Sequence, residues 1–272
     1  MKIYNSIDEF NSVKGNFSNL VYVPTMGNLH AGHTTLIDKA KEFNLEIIST
    51  IYVNKLQFND KNDYLNYPKT LDRDIELLKK HGCNHVILPD DSILNNIEHI
   101  KASSKANKLC GLNRPGHFDG VLTILNKFFN IINPKILILG KKDYQQFILI
   151  KDFIQKKNLD IMLFGVQTVR EENGLALSSR NNLLSEDHKS LTPSLYKTLK
   201  EIELNRGNLC QDFLNLKSNY LKSIGFKLDY LVACDTESLE ESFDIHNHDI
   251  LIAVAAKLGN VRLIDNIELT KL

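Results

Sequence analysis

Leu20-Val21-Tyr22-Val23-Pro24-Thr25-Met26-Gly27-Asn28-Leu29-His30-Ala31-Gly32-His33 is the stretch that decides the fold. Leu20 to Val23 is a short run of consecutive apolar residues, the pattern of a strand covered on both faces, and Pro24 marks its expected end. Two glycines then lead into a helix expected from about His33 to Phe43. A strand, a glycine-bearing turn and a helix open an α/β unit, and ligands of open parallel sheets bind beyond the carboxyl ends of the strands. Two histidines three apart at the mouth of a helix can face one ligand, while the helix N-terminus offers N–H groups that favour phosphate. Gly32 leaves room for a ligand ring near the backbone. Neither G-x-G-x-x-G nor G-x-x-x-x-G-K-[ST] occurs, so the two common phosphate loops are absent.

Downstream, the alternation continues. Strands are expected at Ile47–Val53, Val86–Leu88, Ile136–Leu139 and Ile161–Val166, and helices at Leu71–Lys80, Gly120–Ile132 and Asp143–Lys156. The expected fold class is α/β: a Rossmann-like parallel sheet flanked by helices, followed by a smaller C-terminal α+β lid domain. After about Val169 the pattern changes. Two helical segments (185–204 and 210–224) precede three clustered β-like runs, Lys227–Val232, Ile250–Ala255 and Val261–Ile264. The expected domains are therefore 1–168 and 169–272.

Composition narrows the function classes. Lys+Arg and Asp+Glu each number 33, and a chain of zero formal charge is a poor candidate for nucleic-acid binding. No apolar run approaches about 18 residues, so no membrane span is expected. Four scattered cysteines without a C-x-x-C pair, and an N-terminal stretch without an apolar leader core, suggest a cytoplasmic protein.

The H-x-G-H element resembles the signature shared by nucleotidylyltransferases and class I aminoacyl-tRNA synthetases. The longer string Pro24–His33 resembles the pantoate–β-alanine ligase (pantothenate synthetase) family. Five further strings agree with that family in order: Tyr52-Val53-Asn54-Lys55-Leu56-Gln57-Phe58, Tyr67-Pro68-Lys69-Thr70-Leu71, Arg114-Pro115-Gly116-His117-Phe118-Asp119-Gly120-Val121, Gly140-Lys141-Lys142-Asp143-Tyr144-Gln145-Gln146, and Gly174-Leu175-Ala176-Leu177-Ser178-Ser179-Arg180-Asn181. The last ninety or so residues carry no matching motif.

The resemblance implies an ATP- and Mg²⁺-dependent condensation of pantoate with β-alanine through a pantoyl adenylate. It implies His30, His33 and Lys142 as catalytic residues. Met26, Gly27, Gly140, Asp143, Val169, Leu177, Ser178, Ser179 and Arg180 would complete the ATP site. Pro24, Met26, Gln57, Arg114 and Gln146 would hold pantoate, with His117 bordering the same pocket. Asp74 is a candidate metal ligand, although an acid in a helix first turn also complements the helix dipole. A homodimer is expected, with no nucleic-acid or membrane partner.

This chemistry suits the residue types. A substrate carboxylate attacks the α-phosphorus, so the protein supplies positioning and charge neutralisation and no covalent nucleophile. Four positions depart from the family pattern: Lys55 stands in place of proline, Lys141 in place of glutamate, Arg73 in place of an acid, and Leu177 in place of methionine, the last a volume-conserving swap. An H-x-G-H nucleotidylyltransferase acting on another small acceptor is the alternative, but it would not need the Arg114–Val121 or Asp143–Gln146 strings. His81, Cys83 and His85 have metal-like residue types, but they sit at a helix end with no third ligand cluster nearby in sequence.

Overall fold

The computed structural model describes Met1–Leu272 and divides into two compact units. The first comprises Met1–Lys141 and Gln146–Gln167; the second comprises Lys142–Gln145 and Thr168–Leu272. The short excursion at Lys142–Gln145 has no counterpart in the sequence reading.

In the first unit the elements run β1 (Lys2–Tyr4), α1 (Ile7–Asn11), β2 (Val21–Thr25), α2 (Ala31–Lys41), β3 (Ile47–Ile51), α3 (Lys61–Leu65), α4 (Leu71–Lys80), β4 (His85–Ile87), α5 (Leu109–Leu112), α6 (His117–Ile132), β5 (Ile136–Gly140), α7 (Tyr144–Lys156, of which Tyr144 and Gln145 belong to the second unit) and β6 (Met162–Val166). The strands form one sheet in the order β1-β4-β3-β2-β5-β6, with every pair parallel. From β2 the chain builds toward β3 on one side and later toward β5 on the other. The carboxyl end of β2 is therefore a topological switch point, where such sheets place ligands.

Strand alternation splits the core into two layers. Tyr22, Ile48 and Leu137 pack with Leu122, Leu125, Phe128 and Phe129 of α6. Val21, Val23, Ile47, Val86 and Ile138 pack with Leu36, Ile37 and Ala40 of α2 and Leu78 of α4. Burial on both faces is why these strands are written as continuous apolar runs.

Several elements differ from expectation: α2 begins and ends about two residues early, and β3 stops at Ile51 instead of Val53. Pro24 lies inside β2, in register with Thr50, rather than after it. Because β5 pairs with β2 only at Val21 and Tyr22, a missing N–H at Pro24 breaks no ladder on that side. Helix α6 starts at His117, three residues before Gly120. Gly120 is a point of close approach: a Cβ there would lie 2.2 Å from the Leu56 carbonyl oxygen. Strand β1 was not expected, since Lys2-Ile3-Tyr4 is too short to show a period. Gly120→Ala is expected to destabilise the protein by about 1–3 kcal/mol through this overlap. Thermal unfolding would reveal it, and an unchanged melting temperature would contradict the close approach.

In the second unit, α8 (Glu186–Leu191), α9 (Pro193–Leu204) and α10 (Gln211–Ser223) precede β7 (Lys227–Asp235), β8 (Ile250–Leu258) and β9 (Val261–Leu269). The strands make an antiparallel sheet in the order β7-β8-β9. The segment 185–204 is two helices rather than one, because Pro193 takes the first-turn position of a new helix. Leu195, Leu199 and Ile202 of α9 join Leu214 and Leu221 of α10 against Ile252, Val254 and Leu263 of the sheet. All three strands run beyond the apolar stretches that marked them; β9 continues through the polar pair Asp265-Asn266, which is buried. No helix of either unit is long and apolar enough to cross a membrane.

Candidate active site

The loop between β2 and α2 brings the two signature histidines together. His30 is the N-cap of α2, and its Nδ1 accepts the Gly32 N–H at 3.1 Å. The His33 Nδ1 reaches back to accept the His30 N–H at 3.3 Å. The pair acts as a capping box built from two imidazoles, with ring centroids 4.1 Å apart. With both Nδ1 atoms accepting, each neutral ring carries its proton on Nε2. Both histidines therefore have an Nε2–H donor set at the positive end of a helix, a suitable pair for phosphate oxygens.

The turn before them is fixed from α4. Gly27 and Asn28 have left-handed φ of 81° and 50°. The Asn28 and Leu29 N–H groups each donate to the Asp74 carboxylate at 2.8 Å. Asp74, weighed as a metal ligand, is buried in this anchoring role, and nowhere do three His, Cys, Asp or Glu side chains gather as a metal cluster.

A second group lies on the same unit. Gln57 Nε2 donates to the Met26 sulfur at 3.0 Å, so these two candidate pantoate residues touch. Asn54 organises them: its Nδ2 donates to Gln57 Oε1 (3.1 Å) and to the Gly120 carbonyl (3.0 Å), while its Oδ1 accepts the Leu56 N–H (3.2 Å). The Gln57 carbonyl accepts from His117 Nδ1 at 2.6 Å, and Arg114 approaches it at 3.5 Å. Pro24 lies in β2 and Gln146 in the first turn of α7. The sequence reading assigned Asn54 no role; its position directly after an expected strand end and three before Gln57 was the available signal. Lys55, the departure beside it, turns outward to pair with Asp91 at 3.0 Å.

The second unit gathers Lys142, Asp143, Val169, Leu177, Ser178, Ser179 and Arg180. Asn266 Nδ2 of β9 donates to the Lys142 carbonyl at 2.8 Å. Burial pushes the Lys142 ammonium below the usual lysine value; Asp143 and Asp265 oppose this, and Arg180 adds to it. An ammonium so placed gains from a polyanionic ligand. Val169 and Leu177 face each other in a hairpin closed at Gly174, where Leu177 N–H donates to Val169 O at 3.0 Å and Arg170 bridges Ala176. The Arg180 N–H donates to Ser178 Oγ at 3.3 Å. Arg170 forms a bidentate pair with Asp265 at 2.6 and 2.9 Å and lies 3.6 Å over the Tyr196 ring. Gly140 and Lys141 end the first unit's β5 segment, where the Lys141 stem packs against Gly165 and its Nζ lies 5.9 Å over Phe147.

The metal-like residues near Cys83 are dispersed. His81 pairs with Asp38 at 2.9 Å, whereas His85 meets Tyr4 (3.3 Å) and Glu46 (3.2 Å).

Comparison with known proteins identifies the family. The model of the pantoate-beta-alanine ligase family matches residues 2–268. A pantothenate synthetase of Marinomonas sp. is 40% identical over 256 residues, 91% of this chain and 90% of that one. One from Acinetobacter baumannii is 41% identical over 254 residues, 91% and 89% respectively. The crystal structure of the Thermus thermophilus pantothenate synthetase superposes with a TM-score of 0.90 at 31% identity, covering 99% of this chain and all (100%) of that one. A Francisella tularensis pantoate-beta-alanine ligase, complexed with beta-gamma ATP and beta-alanine, gives a TM-score of 0.82 at 33% identity, covering 98% and 97%. With its motifs in family order and its whole length matched, the chain belongs to the pantoate–β-alanine ligase family.

Proposed function

We propose that this chain condenses pantoate with β-alanine in two steps on one site. The pantoate carboxylate oxygen attacks the α-phosphorus of ATP, and the bond to the β-phosphate bridging oxygen breaks. Pantoyl adenylate and pyrophosphate result. The free amine of β-alanine then attacks the acyl carbon, AMP leaves with the bonding pair, and the amine gives up a proton to yield pantothenate. The observation that carries this reading is the imidazole capping box at the switch point of the sheet, which holds two Nε2–H donors at a helix N-terminus.

In this reading His30 and His33 donate to phosphate oxygens, and Lys142 neutralises the charge that gathers on the departing pyrophosphate. Ser178, Ser179 and Arg180 bind the phosphates from the C-terminal unit, which acts as the lid that keeps water from the adenylate. Met26, Gly27, Gly140 and Asp143 line the nucleoside, and Val169 and Leu177 hold the adenine. Pro24, Met26, Gln57, Arg114 and Gln146 take pantoate, the amide of Gln57 meeting its hydroxyls and carboxylate. Asp74 does not fit a metal role, since its oxygens already accept from two backbone N–H groups and the Thr70 hydroxyl. Mg²⁺ enters only as the counterion carried by the nucleotide. A cytoplasmic homodimer completes the proposal.

Exchange of labelled pyrophosphate into ATP tests it. Exchange should require pantoate and should not require β-alanine. Complete ligation, unlike exchange, should rise from mildly acid to mildly alkaline pH as more β-alanine becomes free base. A nucleotidylyltransferase would ignore pantoate. Product formation on adding β-alanine, without any pantoate-dependent exchange, would mean a concerted route and overturn the adenylate.

A further inference from the structure

We propose that Asp74 is a positioning residue for the two histidines, holding the His30–His33 loop from the first turn of α4. The proposal rests on the reading of His30 and His33 as phosphate-binding groups.

Three observations carry it. First, Asp74 is 1% exposed, and burying a carboxylate is costly unless strong hydrogen bonds repay it. Second, its donors belong to the loop and to its own helix start: Asn28 N–H and Leu29 N–H at 2.8 Å, and Thr70 Oγ1 at 3.0 Å. The two backbone bonds cross from α4 to the residues immediately before His30, so the carboxylate sets where the N-cap begins. Third, the turn is shaped to admit it. Gly27 sits at φ 81°, and a Cβ there would lie 3.0 Å from Asp74 Oδ2. Asn28, a non-glycine residue, is held at φ 50° with its N–H aimed at the same oxygen. A non-glycine left-handed residue persists where its surroundings over-determine it, and here the carboxylate does so. An apolar side chain at position 74 would fill the space but leave two buried N–H groups without an acceptor.

Asp74 touches no reacting atom in this scheme; it acts through the histidines. Asp74→Asn keeps the shape but turns one acceptor oxygen into a donor that faces an N–H. In the pantoate-dependent exchange assay, Asp74→Asn is expected to lower kcat by at least about tenfold while leaving KM for ATP and pantoate within about threefold. The loss should not recur in a His33→Ala background, because two residues acting through one group are not additive. Asp74→Asn activity within about threefold of wild type, or a full additional loss on top of His33→Ala, would overturn the proposal. Full activity of His33→Ala alone would instead sink the reading of the histidines, and the proposal with it. Should Asp74→Asn fail to fold, Thr70→Val removes only the hydroxyl that steadies the carboxylate. The Asn28 and Leu29 amide protons should exchange slowly in the wild type and at least about tenfold faster in Thr70→Val. Fast exchange of both amides in the wild type would exclude the anchor.

Discussion

Lys142→Ala is expected to lower turnover at least about 100-fold, the scale of a lost transition-state charge contact, while Lys141→Ala stays within about threefold. The two neighbours have different surroundings. The Lys141 stem lies over Gly165 and its ammonium over the Phe147 ring, which is a packing role in the first unit. Lys142 belongs to the second unit, where Asn266 holds its carbonyl and Asp143 and Asp265 favour its charged form against burial. Lys142→Arg should not restore activity, because a planar guanidinium does not replace a compact ammonium in a confined site. Steady-state ligation rates of the three variants decide the matter. An exchange of effects between Lys141 and Lys142 would show that the motif is misregistered by one residue.

What could be read from the sequence divides by range. Local patterns carried the parallel sheet: the apolar runs at Leu20–Val23 and Ile136–Leu139 became neighbouring interior strands, and the helix at Leu71–Lys80 has those bounds in the structure. The capping pair His30 and His33 was visible because its chemistry lies within four consecutive residues. Contacts that span the chain were not visible. Asp74 looked like an ordinary acid in a helix first turn, since nothing local shows that its partners are Asn28 and Leu29. Asn54 could not be separated from its motif, because its role depends on Gly120 meeting Leu56. Gly120 itself suggested a helix start, yet it lies inside α6, where only a glycine fits against another backbone. The C-terminal unit was legible as three β-like runs but not as a site. Its polar strand positions, Asp265 and Asn266, look like the end of an apolar run until the fold brings Arg170 and Lys142 to them.

Asp265→Ala is expected to destabilise the protein by about 3–5 kcal/mol, the usual cost of stranding one member of a buried ion pair. The Asp265 side chain is 2% exposed and that of Arg170 is 16%, so removing the carboxylate leaves a largely desolvated guanidinium. Arg170 also donates to the Gly174 carbonyl at 3.0 Å, and so ties this pair to the hairpin that carries Val169 and Leu177. Chemical denaturation measures the loss; a change below about 1 kcal/mol would mean that the pair is effectively solvated. The double variant Arg170→Met with Asp265→Leu separates stability from function. Replacing both partners by apolar groups is often neutral or stabilising, so this variant should recover most of the lost stability. It should not recover ligation, because Lys142 loses one of the two carboxylates that favour its charge and the hairpin loses its anchor. A stable, fully active double variant would show that the pair serves only the fold. A stable but impaired one would mean that this ion pair is kept for the placement of charge beside Lys142.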